Sequence, residues 1–166
     1  METPGKLDGL VRLLERMEDA LLVGLLLGMI LLAVGQIVLR NLFGAGFIWG
    51  DPLVRILVLW IGLAGAMVAS RSDNHISIDI VSRYLSPGMK RWTGVFTHAF
   101  TCLVCGTMAW HSQVFVLMEM ADGLPAFAWV PAWVCESIIP LSFSVICLRY
   151  FIFTLQGLLG RRSYSQ

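Results

Sequence analysis

Four long apolar runs follow one another along the chain, and polar or charged stretches separate them. The runs cover residues 20–39, 52–70, 92–118 and 132–159. An α-helix rises about 1.5 Å per residue, so about 20 apolar residues cross the hydrocarbon core of a bilayer. The pattern predicts an all-α membrane protein whose four transmembrane helices lie at about these positions, the fourth ending near residue 157. All 166 residues are expected to form a single membrane domain.

The composition agrees with a chain that lies in lipid. Hydrophobic residues make up 57% of the sequence and charged residues only 14%, whereas about a quarter of the residues of soluble domains are charged. A chain this short cannot hide so much apolar surface in one core. Lys and Arg number 12 and Asp and Glu 11, so no excess of positive charge attracts nucleic acid. Membrane lipid is therefore the expected environment.

The basic residues predict the orientation of the helices. Ten of them lie at the two termini, in the segment between helices two and three, or nearest that side, and only Arg40 and Arg55 lie on the other side. Lys and Arg accumulate in cytoplasmic segments. Both termini are therefore expected in the cytoplasm. The first apolar run is longer than a signal-peptide core and has no nearby Ala-x-Ala pattern, so the first helix is expected to remain.

The segment before the first run also has helical spacing, with apolar residues at Leu7, Leu10, Val11, Leu14 and Met17. Two interpretations remain open for it. One is an amphipathic helix at the membrane interface, and the other is a cytoplasmic extension of the first transmembrane helix.

Small residues recur at helical spacing in the first two helices. They are Gly24, Gly28, Gly35, Gly62, Gly65 and Ala66. Small residues at such spacing let helix backbones approach closely in lipid. They predict helix packing, and the pattern leaves open whether the neighbouring helix belongs to this chain or to another.

The start of the second helix carries several signals. Asp51 suits the N-cap and Pro52 the first helical position, Trp49 suits the membrane interface, and Arg55 lies one turn after Asp51, where the two could pair. These residues either cap and anchor the helix or contact a partner.

In the fourth helix, Pro140 predicts a kink because it removes a backbone hydrogen bond. Glu136 lies near the helix boundary, where an acid is more easily tolerated.

The segment ASRSDNHISIDI, residues 69–80, marks the end of the second helix. An open strand at the membrane would leave backbone groups unpaired, so a short interfacial amphipathic helix is expected at about 76–86. His75 and Asp79 would lie on its polar side, and Arg71 would precede it. Metal binding by Asp73, His75 and Asp79 is the less favoured alternative.

Two specific kinds of site, a cysteine redox or zinc site and a haem site, fit the sequence poorly. Cys102 and Cys105 form a CxxC, but they lie midway along an apolar helix, so neutral structural cysteines are favoured over a redox or zinc site. His98 and His111 are 13 residues apart on different faces of one helix, and no histidine on another transmembrane helix completes an axial haem pair. No catalytic residue, cofactor site or metal site is predicted.

The stretch from residue 47 to 87, FIWGDPLVRILVLWIGLAGAMVASRSDNHISIDIVSRYLSP, resembles the small membrane subunit of TRAP transporters, the tripartite ATP-independent periplasmic systems of DctQ type. The matching residues are Trp49, Asp51, Gly62, Gly65, Ala66, Arg71, His75, Ile76, Ile78 and Asp79. The stretch from Gly123 to Phe143 is similar to the family's entry into its last helix. One departure is that the family usually has glutamates after the tryptophan, where this chain has Asp51 and Pro52.

The resemblance implies a function in transport rather than catalysis. The chain would be a non-transporting scaffold in the bacterial inner membrane, beside a separate, large membrane subunit that carries the substrate and sodium sites. A periplasmic solute-binding protein would deliver an organic anion such as a carboxylate. Trp49, Asp51, Arg55, Arg71, His75 and Asp79 are the candidate contacts with the large subunit. The alternative is an autonomous four-helix carrier or a membrane redox enzyme, and the sequence does not identify the substrate.

Overall fold

The computed structural model describes residues 6–44, 46–71 and 87–159. The elements, in chain order, are α1 (Lys6–Phe43), α2 (Gly50–Ala69), α3 (Pro87–Asp122), β1 (Pro125–Phe127), β2 (Val130–Pro131), α4 (Ala132–Glu136) and α5 (Ile138–Leu158). Within these residues, four segments are long and apolar enough to cross a membrane: Leu13–Phe43, Gly50–Ala69, Trp92–Asp122 and Ala132–Leu158. The predicted all-α membrane fold with four transmembrane helices is confirmed.

The first helix is longer than a bilayer requires. It runs without interruption from Lys6 to Phe43, 38 residues, which is about 57 Å at 1.5 Å per residue. The amphipathic segment before the apolar run is therefore the first part of α1, as the extension interpretation expected. The inward orientation of the two termini stays a prediction. The interfacial helix expected at 76–86 lies outside the described residues.

Glycines with positive φ end the two longest helices. Gly44 and Gly123 both have φ of 64°. The Gly44 N–H donates to the carbonyl of Arg40 at 3.2 Å, and the Gly123 N–H donates to the carbonyl of Glu119 at 3.1 Å. Only glycine adopts this left-handed conformation without a steric cost from a Cβ, so these two residues stop α1 and α3 at defined positions.

A short β-hairpin, which the sequence analysis did not predict, follows α3. Its strands β1 and β2 are antiparallel, with Pro125 opposite Pro131 and Phe127 opposite Val130. Ala128, in the turn between them, has a φ of 49°. The Ala132 N–H then donates to the carbonyl of Leu124 at 3.0 Å. The hairpin thus brings the chain directly into the start of α4.

The fourth span is interrupted one turn after it begins. Helix α4 ends at Glu136 and α5 begins at Ile138, while Ser137 between them keeps helical dihedral angles, φ −57° and ψ −23°. Pro140 has no N–H to donate to the carbonyl of Glu136, four residues earlier. The break therefore lies where the sequence predicted a kink.

The described residues divide into two compact units. The first holds those up to Val68 together with Val116–Ile138, and the second holds those from Ala69 to Phe115 together with those from Ile139 onward. The best-buried side chains of the first unit include Ala64, Met67, Val116, Cys135 and Ile138. Those of the second include Val95, His98, Ser142, Ile146 and Tyr150.

Candidate functional site

The loop that leads into α2 is held by a buried glutamine of α1. Gln36 is only 8% exposed, and its Nε2 donates to the carbonyl of Phe47 at 3.4 Å. A Cβ on Gly50 would overlap the same amide group. Glycine at position 50 therefore leaves the space that Gln36 fills. Neither residue was predicted from the sequence, where the one signal was a polar residue, Gln36, within an apolar run.

This contact places two aromatic rings at the entrance of α2. The rings of Phe47 and Trp49 are stacked, with centroids 4.9 Å apart and planes at 26°. Trp49 remains exposed. An aromatic ring with a polar N–H suits the boundary between hydrocarbon and water. The position of Trp49 is thus compatible with both an interfacial anchor and a partner contact.

The prediction that Asp51 is the N-cap of α2 is wrong. Helix α2 begins at Gly50, and the carbonyl of Trp49 accepts the first backbone bond, from the Leu53 N–H at 3.2 Å. Asp51 is the second helical residue and Pro52 the third. A carboxylate in the first turn still favours the helix, because the N-terminal end of the helix dipole is positive. Pro52 costs no bond there, since the first N–H groups of a helix have no partner within it.

Asp51 and Arg55 do not pair. Both residues are exposed, and within the described part of the chain neither side chain forms an ion pair or side-chain hydrogen bond. Two opposite charges one turn apart therefore stay open to water, lipid headgroups or another protein.

The other end of α2 is held by an arginine of α5. Arg149 donates from Nη1 to the hydroxyl of Ser70 at 2.9 Å, and Ser70 is buried. Arg71 follows and is half-buried. His75 and Asp79, the other two candidates at this end, lie outside the described residues. The structure therefore places Arg71 but leaves the role of the motif as a prediction.

The glycines of the small-residue faces of α1 and α2 have no close neighbour beyond their own stretch of helix among the described residues. A Cβ added at Gly24, Gly28, Gly35, Gly62 or Gly65 would meet no atom within 4 Å apart from the adjoining residues and backbone of its own helix. Ala66 is exposed as well. The faces that were predicted to bring helix backbones together are thus open surfaces, which a helix from another chain can approach closely.

A tryptophan of α2 binds the backbone beside the break between α4 and α5. The indole Nε1 of Trp60 donates to the carbonyl of Cys135 at 2.8 Å. Buried indole N–H groups usually need a partner, and a helix break leaves carbonyls that need donors. The two requirements are met together. Pro140 predicted the break, but nothing in the sequence predicted which residue binds there.

Glu136 lies at the same break. The residue is half-buried, and its Oε2 is enclosed without a hydrogen-bond donor among the described residues. An enclosed carboxylate oxygen is costly unless it is protonated or meets a donor. The described part of the chain therefore provides no hydrogen-bond donor for this carboxylate oxygen of Glu136.

The amino-acid sequence is similar to those of known proteins. Residues 29–160 match the family model described as "Tripartite ATP-independent periplasmic transporters, DctQ component". Over 119 residues, 71% of this chain, the sequence is 26% identical to the C4-dicarboxylate TRAP transporter small permease protein DctQ of Rhodobacter capsulatus. Over 87% of this chain it is 22% identical to the protein of the same name from Pseudomonas aeruginosa, of which 83% is covered.

A third relative is much larger. The sialic acid TRAP transporter permease protein SiaT of Haemophilus influenzae is 24% identical over 95 residues, which is 56% of this chain and 15% of that protein. The match to the R. capsulatus protein covers 52% of its length. The chain thus spans about half of one of these relatives and a small part of the other.

Proposed function

The chain belongs to the DctQ component family of the tripartite ATP-independent periplasmic transporters, and on this premise we propose that it is a small, non-transporting scaffold subunit. It works beside a large membrane subunit that carries the substrate and ion sites. A periplasmic solute-binding protein delivers the substrate to the pair. The chain is a multi-pass membrane protein of the bacterial inner membrane, with both termini in the cytoplasm.

The observation that carries the proposal is the open surface of α1 and α2. Only 6% of the most apolar window of the first span is buried within the chain, against 28% for the fourth. The glycines of the small-residue faces have open space where a Cβ would be, and these are Gly24, Gly28, Gly35, Gly62 and Gly65. Helices associate in lipid mainly through close packing at small residues, so these faces suit a helix of the large subunit.

The distribution of charge supports a scaffold rather than a carrier. No Asp, Glu, Lys or Arg lies between Asp19 and Arg40, between Arg55 and Arg71, or between Arg91 and Glu119. Ion and substrate pathways in membranes are usually marked by ionisable residues deep within the helices. The middle of these three helices offers no Asp, Glu, Lys or Arg, and their two histidines, His98 and His111, both lie on α3. The substrate and ion sites therefore belong to the partner.

The two ends of α2 supply the polar contacts of the proposed interface. Asp51 and Arg55 are exposed and unpaired with each other, and Trp49 lies beside them. Arg71, His75 and Asp79 follow the other end of the helix. A partner that spans the membrane reaches both ends, because 20 helical residues cover about 30 Å.

The substrate is an organic anion. The relatives are named for transport of sialic acid and of C4-dicarboxylates, and both substrates carry carboxylate groups. We extend this class to the present system, and with it the sodium gradient that the family resemblance implies as the driving force.

Co-purification and uptake test the proposal together. The chain is expressed with a large TRAP membrane subunit from the same organism, purified through a tag on the small subunit, and reconstituted in liposomes with the solute-binding protein. Sodium-dependent uptake of a carboxylate is expected only when all three components are present. Uptake by this chain alone would establish an autonomous carrier and refute the scaffold. Failure to retain the large subunit in mild detergent, at matched expression, would contradict the partnership itself.

A further inference from the structure

Two cysteine thiols on different spans lie against each other. The Sγ atoms of Cys102 on α3 and Cys147 on α5 are 3.6 Å apart. The Cys147 Sγ also lies 3.4 Å from the carbonyl oxygen of Cys102, to which its S–H donates. All four cysteines of the chain are free thiols. The close pair therefore joins residues 45 positions apart and is not the Cys102–Cys105 pair that the sequence displays.

The same two thiols line a cavity. Its volume is about 500 Å³, and its walls include Ala109, Trp110, Leu148 and Phe151. A Cβ at Gly106 would lie 3.4 Å from the Cys147 sulfur, so this glycine leaves the sulfur room. Cys105 and Cys135 are buried, and neither lines the cavity. A small apolar molecule can thus reach one thiol pair and not the other two thiols.

The distance between the thiols is short enough for a disulfide to form. A disulfide has an S–S length of about 2.05 Å, so the sulfurs need to approach by about 1.5 Å. Both side chains belong to the same compact unit, and rotation about χ1 moves a cysteine sulfur while its Cα stays in place. We propose that Cys102 and Cys147 are a redox modification site, which closes to an interhelical disulfide when an apolar hydroperoxide enters the cavity.

The reaction balances with a hydroperoxide as the two-electron oxidant. One sulfur attacks the terminal oxygen of ROOH and breaks the O–O bond. The products are a sulfenic acid and the alcohol ROH, which takes up the thiol proton. The second sulfur then attacks the sulfenic sulfur, and the departing hydroxide takes up its proton as water. Both thiols are oxidised, the peroxide is reduced, and the products are a disulfide, ROH and H₂O.

The position of the pair selects the class of oxidant. Cys102 and Cys147 lie within the segments Trp92–Asp122 and Ala132–Leu158, which are apolar enough to span a membrane. A hydroperoxide carried on an oxidised lipid chain dissolves in the hydrocarbon, and the apolar cavity walls accept it. The resulting disulfide would covalently join α3 to α5. This inference does not depend on the transporter proposal.

Oxidation of the full-length chain in liposomes tests the site. Vesicles of phosphatidylethanolamine and phosphatidylglycerol carrying the chain are treated with cumene hydroperoxide, denatured, alkylated and analysed by mass spectrometry. Two of the four thiols are expected to be lost, and a peptide cross-linked between Cys102 and Cys147 should appear in the monomer band. C105S is the matched control and should lose two of its three thiols. C102S and C147S should form no intramolecular cross-link.

A second variant tests access through the cavity. A109L places extra side-chain volume in the wall while keeping both thiols, so its cross-link should form several-fold more slowly than in the wild type. The rate is measured on monodisperse protein only. Four intact thiols in the treated wild type would overturn the proposal. So would a cross-link through Cys105 or Cys135, or an unchanged rate in monodisperse A109L.

Discussion

Glycines in α1 and α2 have opposite surroundings. A Cβ at Gly50 would overlap the amide of Gln36, whereas one at Gly24, Gly28 or Gly62 would meet no atom within 4 Å apart from the adjoining residues and backbone of its own helix. The regular small-residue pattern is therefore found on surfaces that the chain leaves open. Gly50, which the packing of Gln36 requires to be a glycine, lies outside that pattern at the start of α2. The spacing of small residues identifies a helix face that another helix can approach closely, but it does not identify which helix packs there.

Helix α2 therefore has two kinds of surface. One is fixed by contacts with the rest of this chain, and the other is open to a partner. Gln36 holds the entrance of α2, and the Trp60 indole holds the backbone beside the helix break. The glycine faces and the pair Asp51 and Arg55 have no such contacts. Changes in the first group should weaken the chain itself, and changes in the second should weaken chiefly its association with the large subunit.

The largest effect on the chain is expected for G50A. The added methyl group displaces the Gln36 amide and breaks its bond to the Phe47 carbonyl, and overpacking of this kind costs about 1–3 kcal/mol. The measurement is equilibrium unfolding in mixed detergent micelles. G62A is the control, because open space and a helical position make Gly→Ala neutral or stabilising by about 0.5–1 kcal/mol.

A double mutant sharpens this test. When Q36A removes the amide, the cost of G50A should fall, which gives a favourable coupling between the two positions. Equal unfolding free energies for G50A and G62A would show that the two kinds of glycine do not differ.

The next effect is expected for W60F. The phenyl ring keeps most of the packing but removes the N–H that binds the Cys135 carbonyl, and an unsatisfied buried acceptor costs about 1–3 kcal/mol. The same unfolding assay measures it. W92F removes an indole N–H from an exposed tryptophan and should change the unfolding free energy far less. If both variants lose the same stability, the bond at the helix break contributes nothing specific.

A smaller effect, confined to the complex, is expected for G24L with G28L. The leucines fill a face that is empty in the chain alone, so its unfolding free energy should stay within about 0.5 kcal/mol of the wild type. Close approach by the large subunit is blocked, and its affinity should fall about tenfold, or 1.4 kcal/mol. Titrated pull-down in mild detergent measures the affinity.

The control for this face is V23L, a conservative change at the exposed neighbour of Gly24. It should retain the large subunit fully. Retention by G24L with G28L at the wild-type level would show that this face meets lipid rather than a partner.

The smallest effects are expected for D51A and R55A. Neither residue has an ion-pair partner in the described part of the chain, so stability should change little. D51A loses only the favourable interaction of its carboxylate with the helix dipole, about 0.3–1 kcal/mol. Each lost exposed contact with the large subunit weakens binding by about 0.5–1.5 kcal/mol. D122A, which removes another exposed acid, is the matched control in the pull-down. If the combined D51A and R55A variant binds the large subunit as well as the wild type does, the two residues do not contact that subunit. They then only anchor α2.

Much of the fold followed from local properties of the sequence. The length of each apolar run predicted the four spans, because a bilayer requires a minimum length of apolar helix whatever the neighbours are. Pro140 predicted the interruption of the fourth span, because a missing N–H acts on its own helix. The motif around Trp49, Asp51 and Arg71 indicated the family, which the match over residues 29–160 confirms.

The tertiary structure alone decided which side chains meet. Gln36 contacts a carbonyl 11 residues away, Trp60 one 75 residues away, and Cys147 a thiol 45 residues away. Such pairs depend on the rotation and depth of each helix, and hydrophobic periodicity specifies these only to within a broad face. In lipid the outer face is apolar as well, so hydrophobicity does not distinguish inside from outside. The hydrogen-bond and contact partners of the buried glutamine, the tryptophan and the thiols are therefore determined by helix packing. They cannot be predicted from the sequence alone.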